Sequence, residues 1–293
     1  MFVSHKNSAV FANFLAQNAA PSDEQFFLAT EASFSADSSL EANKIFGESR
    51  ISNDYNISGP QLGKFSATFL PLIGPNSSTS INNQMALITG LTGDFTSGHI
   101  IKFGNFNLRK CYLSSLNLDI SPQATVQVRA DFDVYDMSDI TGQYFTGLNI
   151  ATTLTNNGSG AYLQSIHALA MGVSGSGVNL PDSKQNISVD YGINRTPIYN
   201  LGDTYPSTVI LDAVEKKVSI DGENIGSSIG FSGENAILNL SFYPFASFIA
   251  DGTGILGQNP VFRICTTGRV VSQSLDVSPE GVAGSVSILE NVF

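Results

Sequence analysis

Tryptophan is absent from the 293 residues, and charged residues, histidine and cysteine are scarce. Only 13% of the residues are charged, with 14 Lys and Arg against 25 Asp and Glu, which gives a net charge of −11. An acidic chain of this kind lacks the basic footprint of a nucleic-acid-binding protein. No run approaches the roughly 20 apolar residues of a membrane-spanning helix. The composition therefore predicts neither specific DNA binding nor a membrane segment.

The few cysteines and histidines indicate no reactive centre. Because no leader for secretion is expected, we expect Cys111 and Cys265 to be buried apolar side chains and not a disulfide. His5, His99 and His167 have no Cys or His at metal-ligand spacing, and no nucleophile stands beside them in a triad pattern. The sequence predicts no metal, no cofactor and no enzymatic activity. Carboxylate pairs from separate strands, as in glycoside hydrolases, stay open at this stage.

Two other patterns have alternative interpretations. The acidic series Asp131, Asp133, Asp136 and Asp139 suggests a Ca²⁺ loop, but it lies in an alternating strand and lacks the Gly and the closing Glu of an EF-hand. We interpret these residues as carboxylates on a solvated face. The Gly-rich run at 172–177 lacks the Lys-Ser/Thr of a phosphate loop, and we interpret it as a linker.

The low fraction of charged residues also bears on how the protein assembles. A soluble domain usually has about a quarter of its residues charged, so a chain with 13% leaves few groups to solvate a free surface. We expect much of the surface to lie against another subunit. The alternative is that the plentiful Ser, Thr and Asn residues solvate it.

An internal repeat runs through the chain. The motif LDISP at 118–122 returns as LDVSP at 275–279, 157 residues later. IFGE at 45–48 and SFS at 33–35 are echoed 155 residues later by NLGD and SVD. FLPL at 69–72 resembles FYPF at 242–245 at a larger offset, which we interpret as a loop insertion. Three echoes in one order predict two tandem domains, at 1–155 and 156–293.

Strict alternation of apolar and polar residues predicts antiparallel strands. The strand at 125–135 places Val126, Val128, Phe132 and Val134 on one face. The Ser-Pro motif that precedes it predicts a hairpin of 112–120 with 124–135, and the second motif one of 269–277 with 282–292. Further strands are predicted at 25–37, 64–72, 100–106, 186–191, 208–220, 236–245 and 261–265.

Helical periodicity occurs at two places only. Apolar residues recur at helical spacing in 8–18 and in 161–171, so each copy is predicted to open with one short helix. The polar, Gly-rich stretch at 156–160 is a natural joint. The predicted fold class is mainly β, with two tandem sandwich- or barrel-like domains and one short helix in each.

The second copy resembles a known family. It has a short helix, a strand that ends near GDTYP at 202–206, a charged strand VEKKVSIDGEN at 214–224, and a closing hairpin at SLDVSPEG, 274–281. This order resembles a bacteriophage tail-tube domain, here present twice over nearly the whole chain. The motifs are soft patterns and not an invariant signature, and the first copy departs most at 43–57.

The resemblance implies a structural role in a virion tail, assembled in the host cytoplasm. Tail-tube domains arrange six to a ring, and the rings stack into a hollow tube through which the genome passes. A duplicated chain would need three copies per ring, a pseudo-hexamer. The implied partners are the protein itself and the tail sheath, tape measure or tail terminator proteins. DNA passes through without specific binding.

Candidate site residues follow from this resemblance. We expect Asp131 and Asp133 to face the lumen, where negative walls repel phosphate. The unequal insertions at 73–99 and 222–233 are candidates for contacts between rings. Their candidate residues are Ser77, Ser78, Asn82, Glu223 and Asn224.

Three alternatives stay open. The same fold serves ring proteins of a baseplate or distal tail, which sequence does not separate from a tube. A β-sandwich module that binds a receptor or glycan is another, although it usually presents aromatic platforms and this chain has no Trp. An enzyme is the third.

Overall fold

The computed structural model describes part of the chain, and all structural statements concern that part. The described residues are 10–13, 25–27, 29–37, 40–42, 55–57, 62–73, 88, 91–103, 106–139, 164–165, 171–178, 180–181, 183–223, 236–243, 262–278 and 281–292. The junction predicted at 155 and 156 lies outside them.

Seventeen strands account for nearly all of the described chain. They are β1 (Val10–Asn13), β2 (Gln25–Phe27), β3 (Ala29–Asp37), β4 (Leu40–Ala42), β5 (Tyr55–Ile57), β6 (Leu62–Phe69), β7 (Leu72–Ile73), β8 (His99–Phe103), β9 (Phe106–Ile120), β10 (Gln127–Asp139), β11 (Gln164–Ser165), β12 (Met171–Ser176), β13 (Ser183–Ile198), β14 (Thr208–Glu223), β15 (Ala236–Phe242), β16 (Phe262–Ser278) and β17 (Gly281–Asn291).

Thirteen of these strands form one sheet in which every pairing is antiparallel. Its main path is β12-β15-β16-β17-β14-β13-β9-β10-β6-β3, with β8, β1 and β2 continuing from β9. Two small sheets, β11-β7 and β4-β5, lie outside it. The mainly β prediction is confirmed, and so are both hairpins, β9 with β10 and β16 with β17.

Alternation sets which face of the sheet is buried. In β6, Phe65, Ala67 and Phe69 are fully buried, while Ser66 and Thr68 between them are half-buried and Lys64 before them is exposed. The same period of two places Val128 and Phe132 of β10 in the core, beside β6. Each fully buried apolar side chain of this size contributes about 2 kcal/mol through removal of its surface from water. The core is one continuous cluster that draws on both halves of the chain.

The two predicted helices are wrong at the residues that the structure describes. Val10–Asn13 is strand β1, which pairs with β2 on one side and β8 on the other. Gln164–Ser165 and Met171–Ser176 are strands as well. Cross-strand pairing outweighs a weak helical period of two turns. Helical residues occur at Ile88 and 91–93 instead, where Ile88 and Leu91 are buried.

Two smaller predictions are also wrong. The Gly-rich run at 172–177 is not a linker over its length, because 171–176 is strand β12 paired along β15. Cys111 is buried as predicted, but Cys265 is exposed, since it lies on the outward side of the alternating strand β16. Both cysteines are free thiols.

The pairing order of the first half of the sheet is repeated in the second half. The first half runs β2-β1-β8-β9-β10-β6-β3. The second half runs β12-β15-β16-β17-β14-β13. Apart from β2, which pairs on the outer side of β1, both are six antiparallel strands with the connectivity first-fourth-fifth-sixth-third-second in chain order. Six strands can be arranged in many other orders, so the shared strand order is a specific similarity between the two halves.

Two of the β-bulges in each half repeat as well, although other register shifts do not. The extra residue in β9 is Ser114 and that in β16 is Val271, 157 positions later. The extra residue in β3 is Thr30 and that in β13 is Gln185, 155 positions later. These are the offsets of the LDISP and SFS echoes. A bulge adds one unpaired residue and bends its strand, so matched bulges mean matched local geometry.

One sequence alignment is wrong. FLPL at 69–72 ends β6, which pairs with the second hairpin strand β10. FYPF at 242–245 ends β15, which pairs with the first hairpin strand β16. The strand that occupies the place of β6 in the second half is β14, where Val218 lies on the rung of Phe65. A short Phe-Pro motif matches by composition and carries no information on sheet position.

Candidate functional site: the polar face and the open edges of the sheet

Within the main sheet the two halves meet at one strand pair, β9 with β13, and the small sheet of β7 and β11 joins them a second time. Six rungs join β9 and β13, from Ile120 opposite Ile187 to Ser115 opposite Gly192. The first part of the same β9 edge pairs with β8, up to Cys111. Along this edge, β9 therefore pairs first with β8 of its own half and then with β13 of the other half. We call this β9–β13 pair the internal junction.

Side chains reinforce the internal junction on both faces. On the apolar face, Leu118 and Val189 lie opposite each other and are fully buried. On the polar face, the Asn117 amide donates a hydrogen bond to the Asp190 carboxylate. Such cross-strand pairs each contribute about 0.2–1 kcal/mol beyond the ladder itself. The junction is built like the interior of a sheet and not like a contact between separate bodies.

Arg195 stabilises the internal junction at the end marked by Gly192 and Ser115. Its guanidinium donates to the carbonyl oxygen of Leu113 at 2.6 Å and to that of Phe95. It also lies 5.4 Å from the centre of the Tyr112 ring, a cation–π distance. Burial lowers the pKa of this guanidinium below its usual range. Arg195 thereby connects β13 of the second half with β9 and with the segment around Phe95 in the first half.

Asp131 and Asp133, the predicted lumen residues, lie on the polar face of β10. Asp131 accepts hydrogen bonds from Ser115 at 2.8 Å and from Arg129 at 3.2 Å. Burial would raise the pKa of Asp131, but hydrogen bonds from Ser66, Ser115 and Arg129 outweigh it and hold the pKa below its ordinary value. Asp131 is therefore a fixed negative charge.

Asp133 has a different environment. Burial raises its pKa, and Asp131 two residues away adds to the rise, whereas Lys64 and Arg195 oppose it. Lys64 lies directly across the ladder from Asp133. The two carboxylates point to one face, as alternation predicted, but neither is paired with the other in the manner of a catalytic dyad.

The polar face continues across the whole sheet. Rungs place serines, asparagines and acids beside one another from β3 to β16, with few cations among them. The acidic residues of this face include Asp37, Asp119, Asp131, Asp133, Asp190, Asp221 and Asp276. Hydroxyl pairs such as Ser219 with Ser287, at 2.9 Å, satisfy the remaining groups. The result is a wide, acidic surface.

The predicted contacts between rings are mostly not described. Ser77, Ser78, Asn82 and Asn224 lie outside the described residues. Glu223 is the last residue of β14 and lies opposite Ala283, so it ends a strand where a loop was expected. Gly222 and Glu223 belong to β14, and the rest of the segment at 222–233 lies outside the described residues.

Besides the outer sides of β2 and β12, the described part of the sheet has two open edges that sequence reasoning missed. In the described part of the chain, no strand lies beyond β3, and none lies beside the second part of β16, residues 272–278. Leu275 and Val277 of this segment are exposed to 43% and 70%. No local sequence pattern marks such an edge, because the edge depends on which strands become neighbours. Unpaired edges of this kind are binding sites for further strands.

The remaining features of the described residues do not indicate a functional site. No group of three or more His, Cys, Asp and Glu side chains within the described ranges could hold a metal ion. A shallow groove of about 290 Å³ runs along β3 and β6, with Glu31, Ser66, Thr68 and Arg129 among its lining residues. Over the same ranges, helices are too short and polar to cross a bilayer.

Comparison with known proteins adds no assignment, since neither a protein-family model nor a curated protein matches the chain.

Proposed function

We propose that this chain is the ring-forming subunit of a phage tail tube, built as two tandem tail-tube domains of sandwich or barrel type. The observation that carries the proposal is the repeated six-strand connectivity, with two bulges of each half at repeated positions. Two copies of one unit, joined edge to edge by their own strands, supply the first step of a ring. The proposal places the protein in the virion tail.

The geometry of the internal junction supports closure by symmetry. The junction joins unlike edges, the second part of β9 in one half and the outer edge of β13 in the other. Repetition of a head-to-tail contact gives a ring if the rotation closes and a filament if it does not. Three chains would place six such units around one axis, the pseudo-hexamer implied by the resemblance.

The acidic polar face supports the role of a conduit. DNA carries one negative charge per about 1.7 Å of helix axis, so a wall with fixed carboxylates such as Asp131 and few cations repels it. We place Asp131 and Asp133 toward the lumen and assign the long loops to contacts between stacked rings. Tail sheath, tape measure and tail terminator proteins are the further proposed partners.

Negative-stain microscopy of the purified full-length protein tests this function. We expect rings or tubes with a central hole. Isolated monomers at high protein concentration would contradict the proposal, and addition of the other tail components checks whether assembly needs an initiator.

A ring protein of the baseplate or distal tail is the second candidate, because the same open edges and the same acidic face would serve it. The copy number in purified particles distinguishes the two: a tube subunit is abundant, whereas a baseplate ring is present in a few copies.

A further inference from the structure

The internal junction provides a template for the contact between chains. Each strand of the junction has a counterpart on an open edge. The second part of β9, at 115–120, corresponds to 272–277 of β16 at the offset of 157 that their shared bulge confirms. The outer edge of β13, at 187–192, corresponds to 32–37 of β3 at the offset of 155. One chain thus has both halves of a second junction, at opposite ends of its sheet.

From this correspondence we infer that β3 of one chain pairs antiparallel with residues 272–277 of β16 in a second copy, in the register of the internal junction. The inference rests on the proposed ring assembly and adds which strands meet and how they align. The expected rungs are Ala32 opposite Val277, Ser33 opposite Asp276, Phe34 opposite Leu275, Ser35 opposite Ser274, Ala36 opposite Gln273 and Asp37 opposite Ser272. We call this pair of strands the seam.

The apolar side of the seam explains the exposed residues of β16. Leu118 and Ile120 of the internal junction are exposed to 0% and 3% because β13 covers them. Their counterparts Leu275 and Val277 are exposed to 43% and 70% in the single chain. The seam register lays Phe34 over Leu275 and Ala32 over Val277. Burial of this apolar surface favours association without a new pocket.

The polar side is complementary as well. In the internal junction Asp119 lies opposite Ser188. In the seam Asp276 lies opposite Ser33, an Asp-Ser pair at the same rung. A hydroxyl can donate to a carboxylate, whereas like charges directly opposite would oppose pairing. A shift of the partner strand by one residue would place Ser33 or Ser35 opposite Leu275 in place of Phe34. The apolar pattern therefore specifies the alignment.

Cysteine cross-linking tests the seam directly. The full-length chain would carry Ser33→Cys and Asp276→Cys on a Cys265→Ser background, and chains joined by oxidation would be counted by non-reducing electrophoresis. The matched control, Ser33→Cys with Ser272→Cys, keeps the same face and shifts one thiol by four residues. Because a disulfide needs Cα atoms within about 7 Å, we expect the direct pair to cross-link at least about tenfold more than the control.

A positive control comes from the internal junction itself. Asn117→Cys with Asp190→Cys occupies neighbouring strands within one chain and should form an intrachain disulfide, which shows that thiols across such a rung can oxidise. An independent variant, Val277→Asp, buries a charge in the seam and should abolish ring assembly while the exposed site leaves the chain folded. Leu201→Asp, at an exposed apolar turn residue away from the seam, should assemble normally.

The outcomes separate the seam from the function. Cross-linked rings support both. Rings in which only the displaced pair cross-links, or neither pair does, overturn the seam and leave the ring function standing. Cross-linked open filaments without a hole support the seam and contradict the tube. Monomers without cross-links, with Val277→Asp indistinguishable from the parent protein, overturn both.

Discussion

Buried polar residues hold the first half of the sheet in a pH-dependent way. His99 is 2% exposed and its ring meets the edge of Phe132 with centroids 6.1 Å apart. Burial and, to a smaller extent, the Arg195 charge lower the pKa of His99 from 6.5 to about 4, while Asp94 opposes the shift. The imidazole is therefore neutral in the folded protein at neutral pH.

This lowered pKa predicts acid sensitivity. Between pH 6.5 and 4 the unfolded chain binds the His99 proton and the folded chain does not, so stability is complete above pH 6.5 and falls as the pH drops toward 4. The loss reaches about 3 kcal/mol at the acid end. His99→Leu should remove this part of the pH dependence. Denaturant unfolding of both proteins at pH 7.5 and 4.5 measures it, and parallel stability profiles would contradict the prediction.

The candidate carboxylates show what the sequence could predict at this scale. Alternation alone placed Asp131 and Asp133 on one polar face, and the structure has them there. Their unlike pKa shifts depend on Ser66, Ser115 and Arg195, which come from other strands. No local pattern in the sequence reports which strands become neighbours, so these partners could not be predicted.

At the scale of the strand, Gly268 marks the tightest contact between β16 and β17. A Cβ at Gly268 would lie 2.1 Å from the Leu289 carbonyl oxygen, a contact with backbone that no side-chain movement relieves. In the first half, Cys111 occupies the corresponding rung. The two halves therefore differ in how closely the strands approach at this point, although their main connectivity is the same.

Gly268→Ala should consequently destabilise the chain by about 2–3 kcal/mol, because the two strands must separate to admit the methyl group. Gly192→Ala is the matched control: this glycine is also in a strand, and a Cβ there meets nothing within 4 Å. Thermal unfolding of the two variants gives the comparison. Equal melting temperatures would show that the backbone approach at Gly268 is not restrictive.

Strands and hairpins were predictable where the alternation was long and a Ser-Pro turn set the register. The β9–β10 and β16–β17 hairpins follow from that pattern. The segment at 8–18 was not, because its helical pattern rests on three apolar residues, Phe11, Phe14 and Leu15, and the strand forms only where β2 and β8 supply partners for β1. The open edges escaped prediction for the same reason: an edge is defined by which strands are neighbours.

At the scale of the whole molecule, charge and duplication support one account. A net charge of −11 spread over a repeated sheet gives a surface that DNA avoids. The scarcity of charge fits a subunit whose edges are covered by further copies. The proposed ring uses both features, the first for the lumen and the second for the seam.

Reversal of charge at the proposed lumen should convert the assembly into a DNA binder. Asp131→Lys with Asp133→Lys adds cations beside Lys64 and Arg129, so the ring should retain short duplex DNA at low salt and release it as salt rises. Asp203→Lys with Asp212→Lys makes the same charge change at exposed positions away from the β10 face.

A mobility-shift assay compares the two double variants with the parent ring. The control should retain far less DNA inside the assembly than the lumen variant does. Equal retention by both would show that Asp131 and Asp133 do not line the passage.

A cryo-EM reconstruction of the assembled protein tests the central claim most directly. The account predicts three chains that form six similar lobes around an open hole, with a continuous sheet at every chain boundary and Asp131 and Asp133 facing the hole. A particle without a hole, or one in which the two halves of the chain occupy unlike positions, would contradict it.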